Sequence, residues 1–379
     1  MGQNTVAGAS RRHPEDAARS FDLVRRRQMR QSKTSALRST VAVLIGLAGA
    51  LCLAMGHSRA EDAKPPLAIQ FTFDRPMEAS MAPFVVAAKR GLFAGEGLNV
   101  STNFANGSIE AIGKVAAGDS EMALVDINEL IRWRDKPGAP PIKAVFVLFN
   151  QSPYSFVARK SRGVRSLADL AGKTVGVADS DFSFKLWPAL AKQNGIKADS
   201  LKIYKMSASV REPILSAGQV DAVAGFSYLA GVNLRDRGVP ASDLTVLRYN
   251  DYGCEAYGFA VIVSPPFAAS KPEAVKGFVR AVISGTLAAI RDPVRATDDV
   301  VGRMEGGSRE LELARLRSVI SDNILTGEVR HNGLGGVDPA RLERSIGQIA
   351  EDFKFHKRPA AADIFDDSFL PPVGGRLMN

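Results

Sequence analysis

Cysteine and histidine are scarce in this sequence, which has two cysteines and four histidines among 379 residues. Beyond residue 60 the chain contains one cysteine, Cys254, and two histidines, His331 and His356. A single cysteine cannot form an intrachain disulfide, and no cluster has the spacing of a zinc site. With two histidines beyond residue 60, there are also few candidates for a histidine-based catalytic triad. We therefore expect a protein that needs no metal or cofactor and is not an enzyme.

An excess of basic residues is also missing from most of the chain. The formal net charge is +9, but residues 1–60 hold ten of the 49 basic and three of the 40 acidic residues. The other 319 residues therefore carry 39 basic and 37 acidic residues, a net charge of about +2. Nucleic-acid binding normally requires a basic stripe. We expect no nucleic-acid partner.

The N-terminal basic segment precedes an apolar run at residues 41–55, and small residues follow at Ser58 and Ala60. These are the parts of a secretory signal peptide. The apolar run is shorter than the ~20 residues that a membrane-spanning helix needs. We predict a signal peptide over residues 1–60, with Met29 as a second candidate start, and a mature protein in the periplasm. A retained membrane anchor stays open as the alternative.

Strand-like and helix-like segments alternate after the leader, as is typical of an α/β protein with mostly parallel sheets. The pattern recurs about 100 residues later. The same order of a helix end, a glycine turn, an acidic residue and a buried strand is predicted for residues 116–123 and again for residues 216–223. We interpret this recurrence as two similar α/β lobes, although chance repetition of a common helix-turn-strand order stays open.

The section from about Tyr257 is mainly helical and has no strand series of its own. It should complete the first lobe, so that the chain crosses between the lobes twice. The sequence predicts a first lobe of residues 65–153 plus 256–379 and a second lobe of residues 154–255.

Several segments, taken in order, resemble a known family. They include PFVVAAKRGLF at residues 83–93, LADLAGKTVG at residues 167–176 and GQVDA at residues 218–222. Their order and spacing resemble the nitrate/sulfonate/taurine-type substrate-binding proteins of ABC importers, a family that includes relatives of thiamine-pyrimidine synthases. The resemblance covers roughly residues 65–350. It implies the type II periplasmic-binding-protein fold, with two crossover hinge strands and closure around a ligand.

Ligands of open α/β sheets bind beyond the carboxyl ends of the strands, where helix N-termini offer free N–H groups. The candidate ligand-binding residues are those at the predicted strand ends and crossings: Phe73, Asp74, Ser80, Ser108, Asp126, Phe149, Asn150, Ser180, Asp181, Phe182, Ser183, Phe226, Glu255 and Tyr257. Each has an ordinary structural explanation, since serines before helices are common N-caps and phenylalanines are common in cores. Together their residue types predict a mostly apolar cleft with a few orienting groups.

The acidic candidates, such as Asp126 and Glu255, favour a cationic or hydrogen-bond-donating ligand over a small inorganic anion. We predict a monomeric solute-binding subunit of an ABC importer, which captures a small nitrogen- or sulfur-containing organic solute, heteroaromatic solutes included. Its expected partners are the permease and its ATPase in the inner membrane.

Two alternatives remain open. The protein could report ligand occupancy to a membrane sensor, or it could be an enzyme on the same fold. The resemblance implies a cysteine-rich motif with a histidine and a lysine in the thiamine-pyrimidine synthases. This sequence has Gly253-Cys254-Glu255 with no neighbouring histidine, which argues against that activity.

Overall fold

The computed structural model describes residues 65–178 and 181–378. The predicted signal peptide and Ser180 lie outside the described residues.

The first of two five-stranded sheets has the spatial order β2-β1-β3-β10-β4. Its strands are β1 (Leu67–Phe73), β2 (Leu98–Phe104), β3 (Met122–Asp126), β4 (Lys143–Val147) and β10 (Phe259–Val263). Strand β1 is parallel to β2 and β3, whereas β10 is antiparallel to β3 and β4. Strand β10 is buried along its whole length, as expected for a central strand that is covered on both faces.

The second sheet has the spatial order β7-β6-β8-β5-β9. Its strands are β5 (Tyr154–Arg159), β6 (Thr174–Ala178), β7 (Lys202–Met206), β8 (Ala222–Phe226) and β9 (Leu244–Arg248). Strand β6 is parallel to β7 and β8, and β5 is antiparallel to β8 and β9. The two sheets thus have equivalent topologies, and in each the antiparallel strand is the one that follows a crossing between the sheets.

Helices cover these sheets. In chain order they are α1 (Ala82–Lys89), α2 (Leu92–Gly95), α3 (Ser108–Ala117), α4 (Ile127–Arg134), α5 (Phe182–Lys185), α6 (Trp187–Gln193), α7 (Arg211–Ser216), α8 (Ser227–Asp236), α9 (Pro265–Ser270), α10 (Pro272–Arg291), α11 (Pro293–Val301), α12 (Arg309–Ser318), α13 (Gly327–Asn332), α14 (Pro339–Asp352) and α15 (Ala361–Ile364). A π-helical segment, Val319–Ile324, follows α12. The predicted fold of two similar α/β lobes is confirmed.

Two crossings, residues 148–153 and 249–258, connect the lobes. They run side by side, because the Gly258 N–H donates to the Phe149 carbonyl (2.8 Å) and the Ser152 N–H donates to the Ala256 carbonyl (3.2 Å). A Cβ at Gly258 would lie 2.8 Å from the Phe149 Cβ. Such a close approach of two backbones requires glycine. The crossings therefore form one paired hinge.

Candidate functional site

The carboxyl ends of three parallel strands in each sheet border one cleft of about 880 Å³. Its walls come from both lobes, so a molecule inside it would contact both. Six residues that the sequence singled out line this cleft: Asp74, Ser108, Asp126, Asp181, Phe182 and Phe226. The volume lies in the range of small-molecule binding sites.

The remaining candidates in the described residues lie outside the cleft lining. Phe73 and Phe149 are buried in the aromatic core, and the Ser80 and Ser183 hydroxyls donate to Glu78 and Asp181 on their own turns. Three candidates lie at the hinge: Asn150, Glu255 and Tyr257. Sequence position indicates that a residue ends a strand, but packing decides whether its side chain faces the cleft.

Two aspartates occupy equivalent positions in the lobes. Asp74 follows β1 and accepts from the Ser108 hydroxyl (2.6 Å) at the start of α3. Asp181 follows β6 and accepts from the Arg211 Nη1 (3.3 Å) at the start of α7. Each aspartate thus connects the end of the first strand to the helix after the second. The first lobe presents a hydroxyl at this point, and the second presents a guanidinium.

Arg211 fits closely against the backbone of β8. Its Nη1 also donates to the Ala224 carbonyl (2.7 Å), while its Nε is buried without a hydrogen-bond partner among the described residues. A Cβ at Gly225 would lie 1.9 Å from that Nη1. The absence of a side chain at Gly225 therefore makes the room in which the guanidinium lies.

Arg75 of the first lobe reaches aromatic rings of both lobes. Its guanidinium lies 4.0 Å from the centre of the Phe259 ring and 5.0 Å from that of Phe226. It also pairs with Asp74 at 2.9 Å and donates to the Tyr228 hydroxyl (3.2 Å). Burial alone would lower the pKa of Arg75, but Asp74 and Tyr228 raise that pKa well above its ordinary value. The side chain is a permanent cation in the cleft lining.

Asp126 forms a buried network at the first-lobe wall of the cleft. Its carboxylate accepts from the Tyr154 hydroxyl and from the Asn128 Nδ2 (2.8 Å), and Asn128 also donates to the Tyr257 carbonyl (2.7 Å) at the hinge. Burial disfavours the ionised form and raises the pKa of Asp126 to about 7, although the hydrogen bonds from Tyr154 and Asn128 lower it. Near neutral pH this carboxyl can therefore either accept or donate a proton.

We expect the stability of the wild type to fall, relative to that of Asp126→Asn, as the pH rises from about 4 to about 7. The ordinary pKa of an aspartate is 3.8, so between this value and about 7 the folded chain binds more protons at Asp126 than the unfolded chain does. Raising the pH in this window then favours unfolding. Urea unfolding of both proteins at several pH values would measure the effect. A pH-independent difference between them would contradict it.

The cleft has nearly balanced charge. Five acidic residues line it, Asp74, Asp126, Glu129, Asp181 and Glu212, against four basic ones, Arg75, Lys185, Arg211 and Arg237. Glu129 is paired with Arg132 (2.8 Å). With the aromatic rings of Phe182 and Phe226, these groups offer donors, acceptors and flat apolar faces. Such a lining suits a polar molecule with an apolar or aromatic body better than a small inorganic anion.

Several cleft residues are not among the fourteen ligand-binding candidates. Glu129 lies on α4, and Lys185 and Arg237 extend the basic wall of the second lobe. Among the residues the structure describes, Lys185 and Arg237 form no ion pair with an acidic side chain. Glu129 lies inside a helix and Arg237 follows the end of one, and neither directly follows a strand, so these two residues could not be found from strand ends.

Of the cysteines and histidines that the structure describes, none lines the cleft. Cys254 is buried in the second crossing of the hinge, and burial raises the pKa of its thiol to about 11. A thiol nucleophile normally requires a lowered pKa. Within residues 65–178 and 181–378, no group of three or more His, Cys, Asp or Glu side chains could hold a metal ion. None of the described helices is long and apolar enough to cross a bilayer.

Comparison with known proteins relates the chain to both binding proteins and enzymes. A model of the NMT1/THI5-like family matches residues 78–296. The chain is 26% identical over 220 residues to the riboflavin-binding protein RibY of Chloroflexus aurantiacus, covering 57% of this chain and 61% of that protein. It is 22% identical over 227 residues to a 4-amino-5-hydroxymethyl-2-methylpyrimidine phosphate synthase of Schizosaccharomyces pombe, covering 58% and 64%. The chain thus spans less than two thirds of either relative.

The fold also has a close counterpart among solved structures. The periplasmic aliphatic sulphonate-binding protein SsuA of Escherichia coli superimposes with a TM-score of 0.62 at 14% identity, covering 79% of this chain and 91% of that chain. At this identity the likeness establishes the fold, which is that of periplasmic binding proteins, and nothing about the ligand.

Proposed function

Because the chain belongs to the NMT1/THI5-like family, we propose that it captures a small organic solute between its lobes by hinge closure and delivers it to an ABC importer. One observation carries this proposal. The six strand ends of two equivalent sheets border a single cleft, with Asp126 on one wall and Phe226 on the other. A ligand that contacts both walls favours the closed arrangement, and a membrane partner can recognise that arrangement.

The proposed solute contains nitrogen and an aromatic ring. Asp126 can accept an N–H bond from such a ring, and Phe182 and Phe226 offer faces for stacking. Two relatives are named for nitrogen heterocycles, a riboflavin-binding protein and a pyrimidine phosphate synthase. An aliphatic sulfonate would instead need a surplus of donors and cations, whereas this cleft has five acidic and four basic residues.

The proposed setting is the periplasm, reached through the signal peptide predicted over residues 1–60. The partners would be an inner-membrane permease and its ATPase, as the family resemblance implies, with the binding protein acting as a monomer. We propose lobe boundaries that follow the crossings, with residues 65–153 plus 256–379 in one lobe and residues 154–255 in the other.

A second candidate function is catalysis on a pyrimidine. A synthase is among the relatives, and a buried carboxyl with a pKa of about 7, as at Asp126, is suited to acid–base work. The two functions differ in what leaves the cleft. A binding protein releases its solute unchanged, whereas an enzyme releases a product, so mass spectrometry after incubation separates them.

A thermal-shift screen tests the binding proposal. The panel would contain nitrogen heterocycles, among them riboflavin and 4-amino-5-hydroxymethyl-2-methylpyrimidine, beside aliphatic sulfonates. A solute at ~100 times its dissociation constant stabilises the folded protein by about 2.7 kcal/mol. We expect a heterocycle to raise the melting temperature. If only sulfonates raise the melting temperature, the proposed class of ligand is wrong. If a heterocycle is converted to a product, the protein is an enzyme.

Phe226→Leu should weaken binding of an aromatic solute by about 5- to 150-fold, because stacking on an aromatic face contributes about 1–3 kcal/mol. Leucine keeps an apolar side chain in the cleft but removes the ring. Phe267→Leu is the matched control, since Phe267 lies in a separate groove with Pro265 and Pro266. Calorimetric titration of both variants measures the effect. If Phe226→Leu and Phe267→Leu bind the solute with equal affinity, Phe226 does not contact the solute.

A further inference from the structure

The C-terminal part of the chain covers the hinge. The π-helical segment Val319–Ile324 contacts the first crossing, since the Gln151 N–H donates to the Asn323 carbonyl (3.1 Å) and the Asn323 Nδ2 donates to the Gln151 carbonyl (3.1 Å). Thr326 donates to the Asn150 side chain (2.7 Å). This segment lies beyond residues 78–296, which the family model matches.

One side chain from this region binds both crossings. The Arg341 Nη2 donates to the Asn150 carbonyl of the first crossing (2.8 Å). Its Nε donates to the Glu255 carbonyl of the second (2.8 Å), and Nη2 lies 3.3 Å from the Ala256 carbonyl. The third nitrogen, Nη1, pairs with the Glu328 carboxylate (2.9 Å). All three guanidinium nitrogens are thus used.

The surroundings hold this guanidinium in place. It lies 3.9 Å from the centre of the Tyr257 ring, and the Tyr257 hydroxyl donates to Glu328 (2.9 Å). The Asp338 N–H in turn donates to the Tyr257 hydroxyl (2.8 Å). The Arg341 side chain is 14% exposed and does not line the cleft. Arg341 therefore contacts the hinge, and it would not contact a solute in the cleft.

We propose that Arg341 is a positioning residue that fixes the two crossings relative to each other and thereby sets the open–closed equilibrium of the cleft. A hinge works by backbone rotation at a few residues. A planar guanidinium bound to the carbonyls of both crossings restricts that rotation, because its donors have fixed directions. A lysine ammonium retains the charge but has no rigid fork that spans two backbones.

The consequence for binding follows from the fraction of molecules that can bind. Releasing the crossings broadens the range of lobe orientations, and the apparent dissociation constant rises as the competent fraction falls. This inference rests on the proposed closure function. We expect Arg341→Lys to weaken binding about tenfold, equally for all solutes, because a competent fraction of one tenth has that effect whatever the ligand.

The test measures the distance between spin labels on the two lobes. Glu110→Cys on α3 and Asp236→Cys on α8 place labels at exposed positions of each lobe, in a chain in which Cys52 is replaced by serine. The native Cys254 is buried with a raised pKa and should not react. We expect Arg341→Lys to broaden the distance distribution of the solute-free protein. Glu328→Gln, which weakens the support of Arg341, should broaden it less.

Arg344→Lys is the matched control. Arg344 lies on the same helix, α14, but pairs with the Glu255 carboxylate (2.6 Å) at 58% exposure, so it should leave the distribution and the affinity unchanged. An unchanged distribution in Arg341→Lys would overturn the inference, as would an affinity loss that differs between solutes. If no solute binds the wild type but Arg341→Lys still broadens the distribution, the hinge inference stands and the proposed function fails.

Discussion

Replacing Gly225 with alanine is expected to weaken solute binding by at least about 30-fold. The new Cβ would lie 1.9 Å from the Arg211 Nη1 and 3.1 Å from its Cζ. The guanidinium must then leave the Ala224 carbonyl and Asp181. Disrupting one partner of a buried, hydrogen-bonded charge pair at a binding site costs about 2–5 kcal/mol, and 2 kcal/mol corresponds to about 30-fold.

The clash is with the end of a flexible side chain and not with the backbone, but Gly225 also has a φ of +158°, which residues with a Cβ rarely adopt, so we expect Gly225→Ala to fold with a lowered melting temperature. Gly231→Ala is the control from the same lobe, since a Cβ there would lie 3.5 Å from the Val246 Cγ2, an ordinary contact. Calorimetric titration of both variants, with melting temperatures as a check on folding, measures the difference. Equal affinities would mean that Arg211 has no part in the site.

Phe278→Ala is expected to lower the free energy of unfolding by about 3–5 kcal/mol, the usual cost of removing a fully buried phenylalanine. Phe278 lies on α10 and is completely buried. Its ring stacks on Phe71 of β1 at 5.2 Å and on Phe93 of α2 at 5.0 Å. The loss would remove contacts between the first sheet and the helix layer that covers it.

Phe104→Ala provides the comparison for Phe278. Phe104 stacks on Phe73 at 6.0 Å at the edge of the same aromatic group, but it remains 44% exposed. Its truncation should therefore cost much less, because less apolar surface returns to water. Urea unfolding measures both. A small loss for Phe278→Ala, or equal losses, would show that the aromatic group does not hold the first lobe together.

The architecture could be predicted from sequence because it depends on local order. Alternating strands and helices, with glycine turns at Gly118 and Gly218, indicate two equivalent lobes without any knowledge of packing. The strand ends could be located in the same way, and this placed Asp74, Asp126 and Asp181 among the candidates. All three line the cleft. A residue that follows a buried parallel strand lies at the correct edge of the sheet whatever surrounds it.

The parts that could not be predicted depend on contacts between distant residues. Asn150 and Tyr257 were expected between the lobes, but their partner there is Arg341, which is 191 residues from Asn150 along the chain. The rings beside Arg75 belong to Phe226 and Phe259, on different lobes. The raised pKa of Asp126 comes from its burial, which outweighs the lowering by the hydrogen bonds from Tyr154 and Asn128. None of these contacts can be recognised from the spacing of residues along the chain.

Native mass spectrometry of the protein purified from cells that produce it tests the central claim most directly. The account predicts a small organic molecule retained by the wild type and by Gly231→Ala, absent from Gly225→Ala, and released with its mass unchanged. Retention of the same molecule by Gly225→Ala, or recovery of a chemically altered product, would contradict the proposal that this cleft is the site of a solute-binding protein.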